Sequence, residues 1–296
     1  TSWIMAIFGF SYDISTISFP LIALGFLMML NKKNKKIHDL GEIIIGFALF
    51  FVGFAKLKET SGILLDNLDL TGLQALTNLH LGPVNVSVLI FLLIGTVMTV
   101  CFQSSAATMA IIMLLITTGV IPFKLAAAMI LGENIGTTIA ANIAASVGNT
   151  TAKRAAMAHT VFNVFGVLWV LAIFPLFLNF IGFIISSTGL PDPNTTDLTD
   201  TANSDTIKMS LLYSVTTMHT LFNVTNTLIL IWFIPQIEKI VSWIIPAPKE
   251  KEVFRLKYIQ GGPLSTAELS LDEAEQEIVH FAEICYNDFG YMRQAI

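Results

Sequence analysis

Apolar residues along this chain gather into runs of about 20, the length a helix needs to cross a hydrocarbon core ~30 Å thick, and short polar or basic clusters separate them. Thr1 to Phe10 reads as the end of one apolar helix. Ile14 to Leu30 is a second run, closed by Asn31-Lys32-Lys33-Asn34-Lys35-Lys36. Gly41 to Phe54 follows, with Lys56 and Lys58 placed to reach an interface, and then a mixed connector, Thr60 to Leu81, at surface-helix spacing. Val84 to Phe102 and Ala106 to Thr118 meet at Gln103-Ser104-Ser105. Leu125 to Val147 is the next run, and Ala155 to Ile185 is long enough to cross with tilt. After a polar loop from Ser186 to Asp205, Ile207 to Pro235 crosses back, Gln236 to Ile245 suits an interface, and Pro246-Ala247-Pro248 ends the apolar part. Beyond it, Ser265-Thr266-Ala267-Glu268 fits a capping box. Leu271, Ala274, Ile278, Phe281, Ala282, Cys285 and Phe289 then recur at helical spacing, a stripe that one helix cannot bury alone.

Charge placement orients these runs. The lysines after Leu30, the pair Lys153-Arg154, and Lys249, Lys251, Arg255 and Lys257 each mark a cytoplasmic side, whereas the acidic loop before Lys208 suits the outside. Between the outer connector and Lys153-Arg154 the chain must then cross an odd number of times. Three crossings satisfy this, and so does one crossing plus a re-entrant hairpin with Gln103-Ser104-Ser105 at its tip. The expected fold is all-α, a polytopic membrane bundle with re-entrant or discontinuous helices. Its expected parts are a transmembrane domain over 1–246, a linker over 247–263 and a cytoplasmic helical domain opening over 264–296.

Composition agrees: 54% of residues are hydrophobic and 12% charged, about half the charged share of a soluble domain. The acidic excess lies in a loop and in the tail, so nothing resembles a nucleic-acid surface. Cys101 and Cys285 fall in different environments and suggest neither a disulfide nor a metal site. The first segment lacks a basic region and is not a signal peptide. With an apolar helix end at Thr1 and a periodic helix still running at Ile296, the chain reads as part of a longer protein.

Three constellations carry candidate chemistry. Gln103, Ser104, Ser105 and Thr108 are polar groups inside some thirty apolar residues, where an unpaired one costs several kcal/mol. Either the hydroxyls bond back to their own helices, or a serine caps a half-helix whose free N–H groups and dipole face an anion. Gly132-Glu133-Asn134-Ile135-Gly136-Thr137-Thr138 places an acid at membrane depth between two glycines expected to loosen the helix. Glu133, Asn134, Thr137 and Thr138 offer hard oxygens to a small cation; the alternative is an ion pair of Glu133 with Lys153 or Arg154. The third is a repeat, His159-Thr160-Val161-Phe162-Asn163-Val164 and His219-Thr220-Leu221-Phe222-Asn223-Val224, each copy expected to open a spanning helix. Its i, i+4 spacing puts His159 with Asn163, and His219 with Asn223, on one face. They serve as packing elements or as a proton relay.

In order and spacing these motifs resemble the type II sodium/phosphate cotransporter family, in its bacterial branch, over about Thr1 to Ala247; the tail is similar to the start of a PhoU-like domain. The resemblance implies two inverted repeats, each with a Gln-Ser-Ser element, and substrate sites between them. This chain holds only the second element, so a first repeat is expected upstream, and a homo-oligomer is compatible. Ala106 stands where the family usually has a third hydroxyl, which puts a ligand contact there in doubt. The implied function is sodium-coupled symport of inorganic phosphate across the cell membrane by alternating access. Phosphate would sit at Gln103, Ser104, Ser105 and Thr108, and sodium, the coupling ion in place of any cofactor, at Glu133, Asn134, Thr137 and Thr138. A phosphate-responsive regulator acting through the tail, or transport of another oxyanion, are the competing readings. No nucleophile and base pairing suggests an enzyme.

Overall fold

A computed structural model describes residues 2–11, 15–31, 34–67, 71–77, 79–81, 84–196, 204–246 and 267–294. The chain divides into two compact units, Thr1–Pro246 and Ala247–Ile296. Among the described residues of the first, the regular structure is helical apart from a short antiparallel bridge, His80–Leu81 with Val84–Asn85. Among the described residues three segments are long and apolar enough to span a membrane: Lys35–Thr60, Thr150–Ala172 and Ser204–Ile244. Large apolar side chains such as Phe19, Leu27, Leu93, Leu168 and Phe183 are exposed on the outer faces. A water-soluble domain would not leave so many uncovered, and a lipid-facing bundle does.

Helix α1, Ser2–Ile4, runs into a π-helical turn, Met5–Ser11. Helices α2, Ser15–Met29, and α3, Lys35–Asn67, pack closely on each other. At 33 residues α3 extends far past the expected Gly41 to Phe54 and takes up most of the connector; α4, Thr71–Thr77, covers part of the rest. Lys58 does not snorkel away. Its ammonium donates to Gly9 O at 3.0 Å and lies 5.0 Å from the Phe10 ring centroid, which fastens the first turns to α3.

The centre of the unit is α7, Phe123–Ala145. Every residue from Leu125 to Asn134 is buried: from Leu125 to Gly132 the stretch is apolar or small all round and can be covered on every side, and Glu133 and Asn134 are buried with it. Around it lie α5, Val86–Phe102, α6, Ser105–Thr117, α8, Thr150–Ala172, and α10, Ser204–Leu230, with α5 making the most extensive contact. The expected single span from Ala155 to Ile185 is in fact two helices, α8 and α9, Phe174–Ser187, broken at Ile173. Pro175, in the first turn of α9, has no N–H to donate and its ring clashes one turn back, so α8 cannot continue through it. Phe174, Phe177, Leu178, Ile181 and Ile185 form the buried stripe of α9, while Leu176, Phe180 and Phe183 face outward. A 3-10 turn, Ile231–Phe233, leads from α10 into α11, Ile234–Ile244, where Pro235 again stands at a helix start.

In the second unit α12 spans Ala267–Gln294, so the periodic tail is helical as expected. Ser265, Thr266 and the linker 247–263 lie outside the described residues. Of the predicted stripe, Ile278 and Phe281 are exposed, which fits a face lacking its partner helices.

Candidate functional site

The polar triplet breaks the helix. α5 ends at Phe102, and Gln103 adopts φ 51°, the only positive φ among described non-glycine residues. For a residue with a Cβ this left-handed conformation costs roughly 1–2 kcal/mol, and it reverses the chain within one residue. Ser104, in extended conformation, then caps α6: its side-chain oxygen accepts from Ala107 N–H at 3.2 Å. At 17 and 13 residues, α5 and α6 rise about 25 and 20 Å, short of a ~30 Å core. The two pack against each other and both against α7, an arrangement that suits a hairpin ending within the membrane. Gln103 is exposed, Ser104 and Ser105 are half-buried, and the first N–H groups of α6 open at this tip.

Thr108 is different. Fully buried, its hydroxyl lies 3.1 Å from that of Thr99 and 3.3 Å from Ser104 O, which places it behind the tip. Thr99 in turn bonds Gly95 O at 2.8 Å and packs against Gly136 of α7. The start of α6, the end of α5 and the Gly-Thr-Thr part of α7 therefore meet around Thr99, joining the two candidate clusters.

The segment Gly132 to Thr138 is not loosened. It is unbroken α-helix, and its glycines serve close approach instead. A Cβ on Gly132 would overlap Leu92 O; one on Gly136 would stand 2.6 Å from Thr96 O; and one on Gly95 of α5 would strike Met129 O. Thr96 closes the seam by donating to Gly132 O at 3.0 Å. Glycines four apart let two backbones touch, as in small-residue seams of membrane helices. Asn134 donates to Ile130 O, Thr137 to Glu133 O and Thr138 to Ile135 O. Thr137 is half-buried, Asn134 and Thr138 buried.

Glu133 is 1% exposed, and its Oε2 has no hydrogen-bond partner. The expected ion pair is not formed: among the described residues no ion pair joins Glu133 to Lys153 or Arg154, and Arg154 donates through Nε to Ile245 O at 3.0 Å. A carboxylate at such depth costs several kcal/mol unless a cation compensates it.

His159 and His219 do not open helices; both sit well inside α8 and α10. The two copies repeat one bond: Asn163 Nδ2 donates to His159 O at 3.0 Å, and Asn223 Nδ2 to His219 O at 2.8 Å. Their threonines reach outward. Thr160 accepts from Asn142 of α7 at 2.6 Å, and Thr220 accepts from Trp3 Nε1 at 3.0 Å, with His219 Nδ1 3.4 Å from Ser2 Oγ. Each copy thus ties its helix to a neighbour. Sequence reasoning missed Asn226, fully buried, which donates to Phe162 O at 3.0 Å and accepts from Trp169 Nε1 at 3.2 Å. A third asparagine one turn after Asn223 was the available signal. It also missed Gly95, Thr96 and Thr99, whose spacing along α5 mirrors the small residues of α7.

A lipid-facing helical bundle that holds a capped short helix and an uncompensated buried acid defines a polytopic membrane protein. A model of the Na+/Pi-cotransporter family matches residues 1–59 and 76–190, and the chain belongs to that family. Among curated proteins it is 31% identical over 145 residues to "Uncharacterized protein YqeW" of Bacillus subtilis, covering 48% of this chain and 44% of that protein. It is 24% identical over 159 residues to "Putative inorganic phosphate export protein YjbB" of Escherichia coli K12, covering 51% of this chain and 27% of that protein. A Salmonella typhimurium protein of the same name matches to the same extent. The chain spans less than half the length of these relatives. No solved structure matches it.

Proposed function

We propose that the protein containing this chain moves inorganic phosphate across the cell membrane together with sodium, with its tail in the cytoplasm. The observation that carries this reading is the junction at Thr99, where the tip of the α5–α6 pair meets the helix that bears Glu133. Phosphate is bound at the tip by Gln103, by the side chain of Ser105 and by the free N–H groups opening α6; Ser104 holds those groups in place. Hydroxyls, an amide and a helix N-terminus bind an anion without a fixed countercharge, so it can leave on the other side. Thr108 supports the tip from behind rather than touching the ligand. The charge of sodium is met by Glu133, with the hydroxyl oxygens of Thr137 and Thr138 on the same helix.

Gln103 is exposed in this chain, which favours a site closed by a second, related element, as expected of a first repeat elsewhere in the protein. Alternating access then follows from movement of one element against the other. The direction of net transport depends on the coupling: symport with inward sodium gives uptake, whereas the Escherichia coli relative is named for export. Radiolabelled phosphate flux in proteoliposomes of the full-length protein decides both points. With an inward sodium gradient, uptake is expected to exceed the gradient-free rate severalfold; a rate indifferent to sodium would leave phosphate transport without this coupling, and no flux in either direction would favour the regulatory reading.

A variant separates the backbone of the tip from its chemistry. Because φ 51° suits glycine, Gln103→Gly is expected to stabilise the fold by about 1 kcal/mol while weakening phosphate binding through loss of the amide. Thermal unfolding and the phosphate dependence of flux should move in opposite directions. Unchanged phosphate dependence would remove the Gln103 side chain from the site.

A further inference from the structure

A groove of about 660 Å³ lies between α8 and α11, far along the chain from the tip. Thr151, Arg154, Ala155, Ala158, His159 and Phe162 form one wall, a stripe at helical spacing along the first three turns of α8. The opposite wall is a matching stripe of α11, chiefly Ile234, Ile237, Val241 and Ser242. The bond from Arg154 Nε to Ile245 O sets the start of α8 beside the end of α11. The two helices therefore run alongside in opposite senses. One end of the groove carries Thr151, Arg154 and Ser242, and the other is closed by Phe162 and Ile234. It is polar at one end, lined chiefly by apolar side chains along its length with His159 and Glu238 among them, and open at the side, the profile of an amphiphile with a single headgroup.

Two charged side chains line the groove, Arg154 and Glu238, and Arg154 forms no ion pair with a described carboxylate. Lys153 is its chain neighbour at the start of α8. With Nε engaged by Ile245 O, the terminal guanidinium nitrogens remain to fork onto an oxyanion. The first N–H groups of α8 open at the same end. Trp243, near the end of α11 and so at this end of the groove, is 83% exposed, and a tryptophan so placed anchors at the headgroup level. This is the end that Lys153 and Arg154 assign to the cytoplasmic leaflet, where basic pockets between helices recognise lipid headgroups.

We propose that this groove binds a glycerophospholipid of the bilayer, one acyl chain lying between Ala158 and Ile237 and the phosphodiester meeting Arg154. The lipid fills a space that lies outside the transport path, and it fixes α11 against α8. It is independent of whether phosphate is the transported solute, since nothing in the argument touches the tip or Glu133.

The test uses the full-length protein purified in mild detergent, with retained lipid counted by native mass spectrometry after titration with phosphatidylglycerol or with diacylglycerol of the same chains. Wild type is expected to retain phosphatidylglycerol and not diacylglycerol. Arg154→Gln should weaken retention roughly tenfold, and Arg154→Lys should recover part of it. Ala158→Trp and Ser242→Trp, which fill the groove from opposite walls, should each abolish it; loss of monodisperse elution identifies a variant that has not folded, in which case the other decides. Retention undiminished in both tryptophan variants would overturn the proposal. So would equal binding of the two lipids with no effect of Arg154→Gln, or a photoreactive side chain at Ala158 that crosslinks to polypeptide, whether this chain's tail or a second copy, in place of lipid.

Discussion

Replacing Gly132 with valine is expected to leave almost no folded protein in the membrane. The first added carbon would overlap the carbonyl oxygen of Leu92, with the Leu92 carbonyl carbon and Thr96 N both 2.8 Å away. These are backbone atoms, so no side chain can swing aside. Inserting methylenes where side chains can adjust costs about 1–3 kcal/mol; here two helices must separate along the most extensive contact of the fold, and the Thr96 bond to Gly132 O at 3.0 Å is lost with it. Gly46→Val on α3 is the control, since nothing lies within 4 Å of a Cβ there. The measurement is the monodisperse fraction in fluorescence-detected size exclusion, where Gly132→Val should collapse and Gly46→Val should follow wild type. Equal yields from the two would show that α5 and α7 do not interlock through Gly132.

That same glycine shows where sequence reasoning stops. Gly132 and Gly136 flank an acid, and a glycine inside a helix weakens it, so a loosened segment was a sound expectation from α7 alone. The opposite outcome depends on α5, some forty residues earlier, whose Gly95 and Thr96 supply the facing surface. Pairing of two stripes across that separation is not encoded in either stripe. Local chemistry was more legible. A Gln-Ser-Ser triplet amid apolar residues announces a helix end, and Ser104 does cap α6. What the triplet could not announce was that Gln103, with no glycine nearby, takes the left-handed turn.

Boundaries followed the same division. The lysines after Leu30 and the proline-flanked end of the apolar part mark real limits of helices, because both act within a turn or two. The break at Ile173 was missed although Pro175 was in view, since a long apolar run can also be satisfied by tilt; burial of Phe174, Phe177 and Ile181 as a separate stripe decides it. The His-Thr-x-Phe-Asn repeat was recognised as a unit, and its two copies make the same asparagine bond. Their neighbours differ, Asn142 for one and Trp3 for the other, and those depend on the assembled fold.

Glu133→Gln is expected to shift the sodium activation of phosphate flux far more than the phosphate dependence at saturating sodium. The carboxylate is 1% exposed, one of its oxygens has no partner, and Arg154 is bonded to Ile245 O. A carboxylate so placed is costly unless a cation compensates it, and the Thr137 and Thr138 hydroxyls, which donate along their own helix, keep their oxygen lone pairs for such a cation. Removing one partner of a buried ion pair costs on the order of 3 kcal/mol, which corresponds to roughly a hundredfold in apparent sodium affinity. Glutamine keeps the shape, so the α5–α7 seam and the amount of folded protein should be preserved. If a basic side chain compensated Glu133, the same change would instead strand that cation and lower the folded yield, with little effect on the sodium curve of the protein that remains. Sodium activation measured in proteoliposomes at matched protein content separates the two, and an unchanged curve at normal yield would remove Glu133 from the sodium site.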